Sequence, residues 1–563
     1  MTNLKGADFN VCTKKMKKGN QNGVILSNNR KRKLEHVSVN VYTDFNNNRN
    51  PKCITDMLYG EICLSNMSIK CIMDSPEFQR MKYLKQLGVS HHVFMNANHT
   101  RFEHSVGVGY LARKWMLNLQ RNQPELNITE KDCMLVQIAG LCHDLGHGPF
   151  SHVWDNILPR ISNDIEWNHE DNSVKLLQQI VDANKDDINL SNEDLLIITE
   201  MIRDLPKHET EERDLQGTWT KRRFFYLIVN NFESGLDVDK LDYLRRDANY
   251  TGLGGNKYDK LLERSRVMRC DDHVERICFP IDLLFTVFDL FQTRFKMHDK
   301  IYTHKVTKAI EYMIGDLIVL VADTFTIRGA KLPEACTRPD VFVHLNDNIL
   351  DLVGEHIYNL PDNNKNKTRA RDLYERIRSR KGLYKDMGHS TLDMDRLKER
   401  LHLGKDKKLT EKHLNIFQRV MYEYTKESYE SVEKGALANS FPQDPDDLLK
   451  VTTVTLHYGK KSKNPVDMVY FINNRNQVLK GDHEEIRMRL RSVRPEAFME
   501  TRIQVFCKIP CQIRYVLDAF RKWCEDNKQM APVSQAVLRS PSPSPTSGNN
   551  YSYSDLHELS DIE

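Results

Sequence analysis

Between Ala139 and His152 the chain reads Ala-Gly-Leu-Cys-His-Asp-Leu-Gly-His-Gly-Pro-Phe-Ser-His. Imidazole nitrogens and carboxylate oxygens that converge on one point are the donors a divalent ion takes, and they bind it unprotonated. His143 and Asp144 sit at the end of an apolar stretch. Neighbours on a helix point about 100° apart, so they share an ion most easily where the helix ends. Gly146 and Gly148-Pro149 break the helix, and His147 and His152 follow. The negative end of a helix dipole accounts for one histidine there, but not for three beside an aspartate in a turn of small residues. Arg101-Phe102-Glu103-His104-Ser105 opens another apolar helix and supplies a ligand, His104, and a cation, Arg101. Trp167-Asn168-His169-Glu170 adds a further histidine, and the run from Gly235 to Tyr243 adds Asp239. Taken together, His104, His143, Asp144 and Asp239 offer two nitrogen and two oxygen ligands. Such a set leaves positions for water and for a substrate oxygen, as a hydrolytic ion requires.

Other residues repeat at helical spacing. Asp239, Tyr243 and Asp247 recur every fourth position, on one helical face flanked by Lys240, and Arg294, His298 and Tyr302 repeat the pattern. Either stripe alone is also an ordinary amphipathic helix with buried tyrosines. Beside a metal motif, a ligand, a ring and a carboxylate in line would span a nucleotide from phosphate to sugar. His152 and Asp155 lie three apart on the helix after the break, where the carboxylate can orient the imidazole. Asp74-Ser75-Pro76-Glu77 reads as a helix start, with Ser75 as N-cap, Pro76 in the first turn and Glu77 near the positive dipole end.

These residues resemble the HD-domain phosphohydrolase superfamily, whose ligand set is His…His-Asp…Asp. Within it the chain is similar to the deoxynucleoside triphosphate triphosphohydrolases that contain sterile-alpha-motif and HD domains. The resemblance runs from about Lys52 to about Glu525, with its longest phrases at Thr100–Val108, Val136–His152 and Asp237–Tyr243. It implies the same four metal ligands, an ion that is iron, manganese or zinc, and magnesium with bound nucleotides. The implied reaction is cleavage of a deoxynucleoside triphosphate (dNTP) to deoxynucleoside and inorganic triphosphate. His152 would be the general acid at the leaving oxygen, oriented by Asp155. His147 and His169 would contact phosphate, with Arg101 beside them. Lys240, Arg294 and His298 would hold phosphates, Tyr243 and Tyr302 would border the sugar, and Asp247 would meet its 3′-hydroxyl. Gln86 and Leu87 correspond to further nucleoside contacts. The family's glutamine after the second tyrosine is Thr303 here. Asp74, Gln79 and Lys82 match an allosteric segment in which an aspartate reads guanine, with Lys82 in place of an arginine. The resemblance therefore implies activation by GTP or dGTP and assembly into a homo-tetramer. Rival readings are another HD nucleotidase or phosphodiesterase, or a nucleic-acid-binding protein on an HD scaffold. Single-stranded nucleic acid is accordingly a further partner to consider.

The elements that must position these residues are mainly helical. Helical periodicity dominates from Ile54 to about Lys434, after a short extended stretch from Cys53 to Leu64. The expected organisation is a disordered basic segment at 1–50, an HD-type catalytic domain at 51–440, a smaller α+β C-terminal lobe at 441–530, and a Ser/Pro-rich acidic tail at 531–563. Val451–His457, Val466–Ile472 and Ile503–Cys507 read as strands and Cys511–Glu525 as a helix. One helix is expected over Asp289–Ala309, and a polar connector over Asp362–Arg371. The segment 1–50 is too short and polar to be a sterile-alpha-motif domain. Its clusters Lys14–Lys18 and Arg30–Lys33 read as a bipartite nuclear-import signal or as a solvated tail, so the expected location is nuclear, and also cytoplasmic. A formal net charge of +4 over 563 residues does not announce a nucleic-acid binder. The twelve cysteines lack paired zinc-ligand spacings and read as reduced, mostly core residues of a soluble intracellular protein. No apolar run is long enough to span a bilayer, and Met313–Phe325, with Asp316 and Asp323, reads as a buried helix.

Overall fold

The computed structural model describes residues 52–528, apart from 65, 163, 204–217, 395, 397–409 and 434–440. The expectations for 1–50 and 531–563, basic clusters included, lie outside the described residues.

A hairpin of β1 (Lys52–Asp56) and β2 (Gly60–Leu64) leads into α1 (Met67–Asp74), α2 (Pro76–Arg80), α3 (Arg101–Asn122), α4 (Glu130–Cys142), α5 (His152–Ile161), α6 (His169–Ala183) and α7 (Asn192–Ile202). Then come α8 (Val238–Tyr250), β3 (Arg266–Arg269), β4 (Glu275–Pro280), α9 (Leu284–Met297) and α10 (Lys305–Val321). The remaining principal elements are α11 (Lys367–Ser379), β5 (Lys385–Thr391), α12 (Glu411–Val432), β6 (Leu449–His457), β7 (Tyr470–Ile472), β8 (Val478–Lys480), β9 (Met499–Cys507) and α13 (Ile513–Asp526). The fold is mainly α, a helical core with a smaller mixed region towards the C-terminus.

Local chemistry sets where the site helices begin. A capping box joins Thr129 and Asp132 at the start of α4, so two of the amides left unpaired at a helix start are satisfied reciprocally. Asn168 caps α6, its side-chain oxygen accepting from the amides of Glu170 and Asp171. Helices α3 and α4 cross where Gly109 meets Gly140. A Cβ on Gly140 would stand 3.1 Å from the Gly109 Cα, and one on Gly109 would stand 2.6 Å from the Leu141 side chain. That close approach brings His104 of α3 against the end of α4. Trp115 of α3 is fully buried in the same core, and its indole N–H donates to Ser265 at 2.8 Å.

Two cores are distinct. The larger takes most of the helices, together with Val466, Val469 and Phe471. The smaller is built from β5, β6, β9, α12 and α13, with Met421, Val505, Phe520 and Trp523 inside. Its sheet runs β5-β9-β6, all antiparallel, so it takes a strand from residues ahead of 441. A second sheet runs β8-β7-β4-β3, with β7 parallel to β4.

Several expectations need correction. Within Val466–Ile472 only Tyr470–Ile472 is strand; Pro465–Met468 is a 3₁₀ turn, because a proline with no N–H opens it. The connector expected over Asp362–Arg371 turns helical at Lys367. The single helix expected over Asp289–Ala309 is two, joined by a π turn at His298–Tyr302. Cys53 and Cys63 are not reduced; they face each other across the β1–β2 register, with Cα atoms 4.0 Å apart, and form a disulfide. The other described cysteines are free and, apart from Cys71 and Cys511, buried. No helix among the described residues is long and apolar enough to cross a membrane.

Candidate active site

His104 and His143 each turn one ring nitrogen away from the site and tie it down. His104 Nδ1 meets Asp242 Oδ2 at 2.8 Å, and His143 Nδ1 meets the Gly140 carbonyl at 2.8 Å. Both Nε2 atoms therefore face inward. His104 Nε2 lies 3.2 Å from Asp239 Oδ1 and 3.6 Å from Asp144 Oδ2. His143 Nε2 lies 3.5 Å from Asp239 Oδ1 and 3.4 Å from Asp144 Oδ1. His143 Nε2 is buried with no hydrogen-bond partner. A buried acceptor left unpaired is costly unless something fills its place. Burial opposes a charge on His104, yet hydrogen bonds to Asp239 and Asp242 push its proton affinity up to about 10. Asp144 is buried and Asp239 half-buried, which opposes their charge, but the histidines around them, with Arg101 beside Asp144, hold both carboxyls well below the usual range. His104, His143 and Asp144 bring ligand atoms within 4.8 Å of one another, Asp239 stands against both histidines, and such nitrogen and carboxylate donors suit a divalent transition ion.

The turn from His143 to Ser151 carries the next layer. Neither Gly146 nor Gly148 has left-handed backbone; Phe150 and Ser151 do, with φ of 58° and 59°. At non-glycine residues that conformation costs of order 1–2 kcal/mol and persists only where its surroundings hold it. Here Asp347 Oδ1 accepts from the Phe150 amide at 2.6 Å, and Ser151 Oγ donates to the Lys85 carbonyl at 2.9 Å while accepting from Arg101 Nε at 2.8 Å. Arg101 also pairs with Asp144. The turn delivers His147, whose ring stacks on His169 at 4.0 Å, with His152 edge-on at 4.9 Å. Burial, reinforced by Arg101, keeps His147 neutral, and burial likewise lowers the His169 pKa. His152, at the start of α5, is open to the cavity, and its Nδ1 stands 3.2 Å from Asp155 Oδ2. Asp155 Oδ1 accepts from the Trp167 indole at 2.8 Å, so the carboxylate is held from both sides.

A cavity of about 630 Å³ opens from the metal cage. Its lining contains Gln86, Leu87, Arg101, His104, His143, Asp144, His147, His152, His169, Asp239, Lys240, Tyr243, Asp247, Arg294, His298 and Tyr302. The two helical stripes therefore face one space, the second bent by its π turn, where the Thr303 amide donates to the His298 carbonyl at 3.2 Å. Lys240 is half-buried, which favours its neutral form, but Asp237 at 2.8 Å and nearby Asp239 raise its pKa and keep it charged. Arg294 donates to the His457 carbonyl at 2.7 Å, and burial beside Arg294 lowers the His298 pKa to about 3. The Tyr302 hydroxyl donates to Asp247 Oδ2 at 2.7 Å.

Asp74, Gln79 and Lys82 lie apart from this cavity and have different partners. The Asp74 carboxylate, 62% exposed, pairs with Lys52. The Gln79 amide donates to the Met73 carbonyl, and the Lys82 ammonium sits 4.8 Å over the Phe102 ring. Ser75, Pro76 and Glu77 form the expected capped start of α2.

Sequence reasoning missed the support behind the ligands. Asp242 holds His104 and is itself gripped by Arg246 at 2.9 Å and by the Tyr59 hydroxyl at 2.8 Å; Arg246 also reaches Asp56 at 2.8 Å. The available signal was Asp242 three positions after Asp239 on the same helix. Thr303, Lys308 and Glu311 also line the cavity wall, and Lys52 pairs with Asp74 away from it.

Comparison with known proteins places these features in a family. The HD domain family matches residues 101–244. The chain is 34% identical over 486 residues to the deoxynucleoside triphosphate triphosphohydrolase SAMHD1 of Bos taurus, covering 81% of this chain and 75% of that protein. It is 32% identical over 537 residues to the SAMHD1 of Homo sapiens, covering 92% of this chain and 80% of that protein. To the SAMHD1 homolog of Dictyostelium discoideum it is 32% identical over 493 residues, covering 87% and 84%.

Proposed function

From the premise that the chain belongs to the SAMHD1 family of HD-domain deoxynucleoside triphosphate triphosphohydrolases, and is a hydrolase, we propose that it cleaves dNTPs between the sugar oxygen and the α-phosphorus. The products are deoxynucleoside and inorganic triphosphate. The observation that carries this reading is one cavity with a cation cage at one place on its wall, Lys240 and Arg294 beside it, and the Tyr302–Asp247 pair beyond.

His104, His143, Asp144 and Asp239 would hold a divalent ion, which supplies a Lewis acid and brings the pKa of water from about 15.7 to about 7. The residues of the chain do the rest. Lys240 and Arg294 bind and orient the polyphosphate, and Arg101 holds Asp144 in place. Neutral His147 and His169 accept or donate at the phosphate without adding charge. His152, with Asp155 at its far nitrogen, hands its proton to the leaving sugar oxygen. The Tyr302 ring borders the 2′ carbon, so an added hydroxyl is excluded, and Asp247 accepts from the 3′-hydroxyl.

Incubating the protein with dGTP and separating the products tests the reading. Inorganic triphosphate supports it. Pyrophosphate or a nucleoside monophosphate moves the protein to the nucleotidase and phosphodiesterase reading, and no turnover leaves an HD scaffold.

The proposal extends to regulation. Exposed Asp74 presents two carboxylate oxygens, a match for the paired N1–H and amine donors of guanine, with Lys52 and Lys82 on neighbouring segments to meet phosphate. GTP then promotes a tetramer that hydrolyses faster, because a ligand shifts an equilibrium by its differential affinity for the two states. Sedimentation with and without GTP, alongside dATP hydrolysis, checks both halves. Unchanged size and rate would remove the regulation and leave the chemistry standing. The clusters Lys14–Lys18 and Arg30–Lys33 support nuclear import, which microscopy of a fusion with these lysines and arginines neutralised would check.

A further inference from the structure

His99 is a fully buried histidine that neither the cage nor the phosphate wall uses, 1% exposed and just ahead of α3. Its Nε2 lies 2.7 Å from Asp247 Oδ1. The other oxygen of Asp247 accepts from Tyr302 at 2.7 Å. An aspartate carboxylate turns easily about its last torsion, but a donor on each oxygen fixes its plane. Each oxygen keeps a further lone pair for an incoming hydroxyl. His99 Nδ1 is buried without a partner. An N–H on Nε2 finds Asp247, whereas one on Nδ1 would be an orphaned buried donor, which is costly, so the geometry places the donor on Nε2. The ring stacks on Tyr250 at 4.3 Å, and Tyr250 is anchored by donating to Glu103 at 3.0 Å. The main chain of His99 serves the same region, its carbonyl accepting from the Gln86 amide at 3.0 Å. One residue thus ties together two walls of the cavity, Gln86 and Asp247.

We propose that His99 is a positioning residue of the sugar subsite, its Nε2–H holding Asp247 in the orientation that accepts the 3′-hydroxyl of the substrate. This rests on the reading of Asp247 as the sugar contact. His99 touches neither substrate nor ion; it acts through Asp247, and through Asp247 on Tyr302.

The test compares dATP with its 2′,3′-dideoxy analogue, at constant GTP and with metal content measured on each protein. His99→Phe keeps the ring stack on Tyr250 and removes the donor, whereas His99→Gln returns an N–H at the reach of Nε2. The wild type is expected to prefer dATP at least about tenfold in kcat/KM, since a site built to bond a hydroxyl rejects an analogue without it. His99→Phe is expected to lose most of that preference through a raised KM for dATP, with metal content and the kinetics of the dideoxy substrate little changed. His99→Gln is expected to recover it. Equal losses on both substrates, or a preference that survives in His99→Phe, overturn the proposal while leaving Asp247 as the sugar contact. A wild type that hydrolyses both substrates equally overturns the sugar reading of Asp247 and the proposal with it. If His99→Phe does not fold, His99→Gln against the shorter His99→Asn decides, and identical preferences in those two overturn the proposal.

Discussion

His104 and His143 face the same point, but what stands behind them differs. A carboxylate behind a ligating imidazole raises its basicity and fixes its tautomer more firmly than a carbonyl does. Asp242 plays that part for His104, while His143 has only the Gly140 carbonyl. Asp242→Asn should therefore lower metal affinity about 10–100-fold, with hydrolysis recovered by excess ion. Metal content after dialysis against a chelator checks this, and undiminished retention would confine Asp242 to its pairing with Arg246. His143→Ala or Asp144→Ala removes a ligand outright and should abolish both bound metal and triphosphate release; elemental analysis with a turnover assay decides. By contrast His152→Ala should keep its metal and lose about 10²–10⁴-fold in kcat, the usual contribution of a general acid. A variant within a few-fold of wild type would make His152 a wall residue only. The four candidate ligands were legible because histidine and aspartate rarely crowd a turn without a shared partner. Asp242, Tyr59 and Asp56 were not, since their reason for being there lies in contacts among three separate elements.

The sequence pattern located the elements that carry the candidate ligands, because α3 and α8 mix buried and more open positions at helical spacing and α4 is an apolar run buried almost throughout from Asp132 to Cys142. It did not report how closely they pack. Gly107 sits one turn beyond His104 on α3, and a Cβ there would stand 2.2 Å from Asp242 Oδ1 and 2.5 Å from Arg246 Nη2. Gly107→Ala should therefore push α8 away from α3, costing about 1–3 kcal/mol as other overpacked cores do, and should loosen the cage it backs. Thermal unfolding and metal retention measured on the same protein check this; a variant that melts lower yet holds metal normally would separate the crossing from the cage. The π turn at His298–Tyr302 was equally hidden. Its residues fit an α-helical stripe, and the insertion is settled by the Thr303 amide and hydroxyl, both of which find the His298 carbonyl, the hydroxyl at 2.7 Å. The strand expected from Val466 failed for a local reason, the proline that precedes it, while the partner of β7, strand β4, lies far back in the chain and left no mark on the pattern.

At the scale of the molecule the smaller core must be tied to the helices that hold the chemistry, and one buried carboxylate does much of this. Asp316 on α10 accepts from Arg160 at the end of α5 at 2.6 Å, from the Tyr384 hydroxyl at 2.8 Å and from Lys508, just after β9, at 2.7 Å. Arg160 shares its helix with His152, so the same node that fastens β9 also fixes the helix presenting the proposed general acid. Sequence marked Met313–Phe325 as a buried helix containing Asp316 but had no means of naming partners 156 and 192 residues away. Burial opposes ionisation of Asp316, but Lys508 and Arg160 outweigh it and hold the carboxyl below its usual value. A carboxyl depressed in the folded state contributes stability that is fully present above its unfolded pKa, about 4, and drains away as pH falls through the lower folded value. Asp316→Ala leaves buried Lys508 and the buried Tyr384 hydroxyl without their acceptor, while the more exposed Arg160 can turn to water; breaking a buried pair costs up to about 3–5 kcal/mol. The variant should thus be markedly less stable than wild type at pH 7, by chemical denaturation, and the gap should narrow as pH falls below about 4, where the wild type loses the same charge. A gap that stays constant from pH 7 to pH 3 would mean that packing around Asp316, and not its charge, joins the two cores.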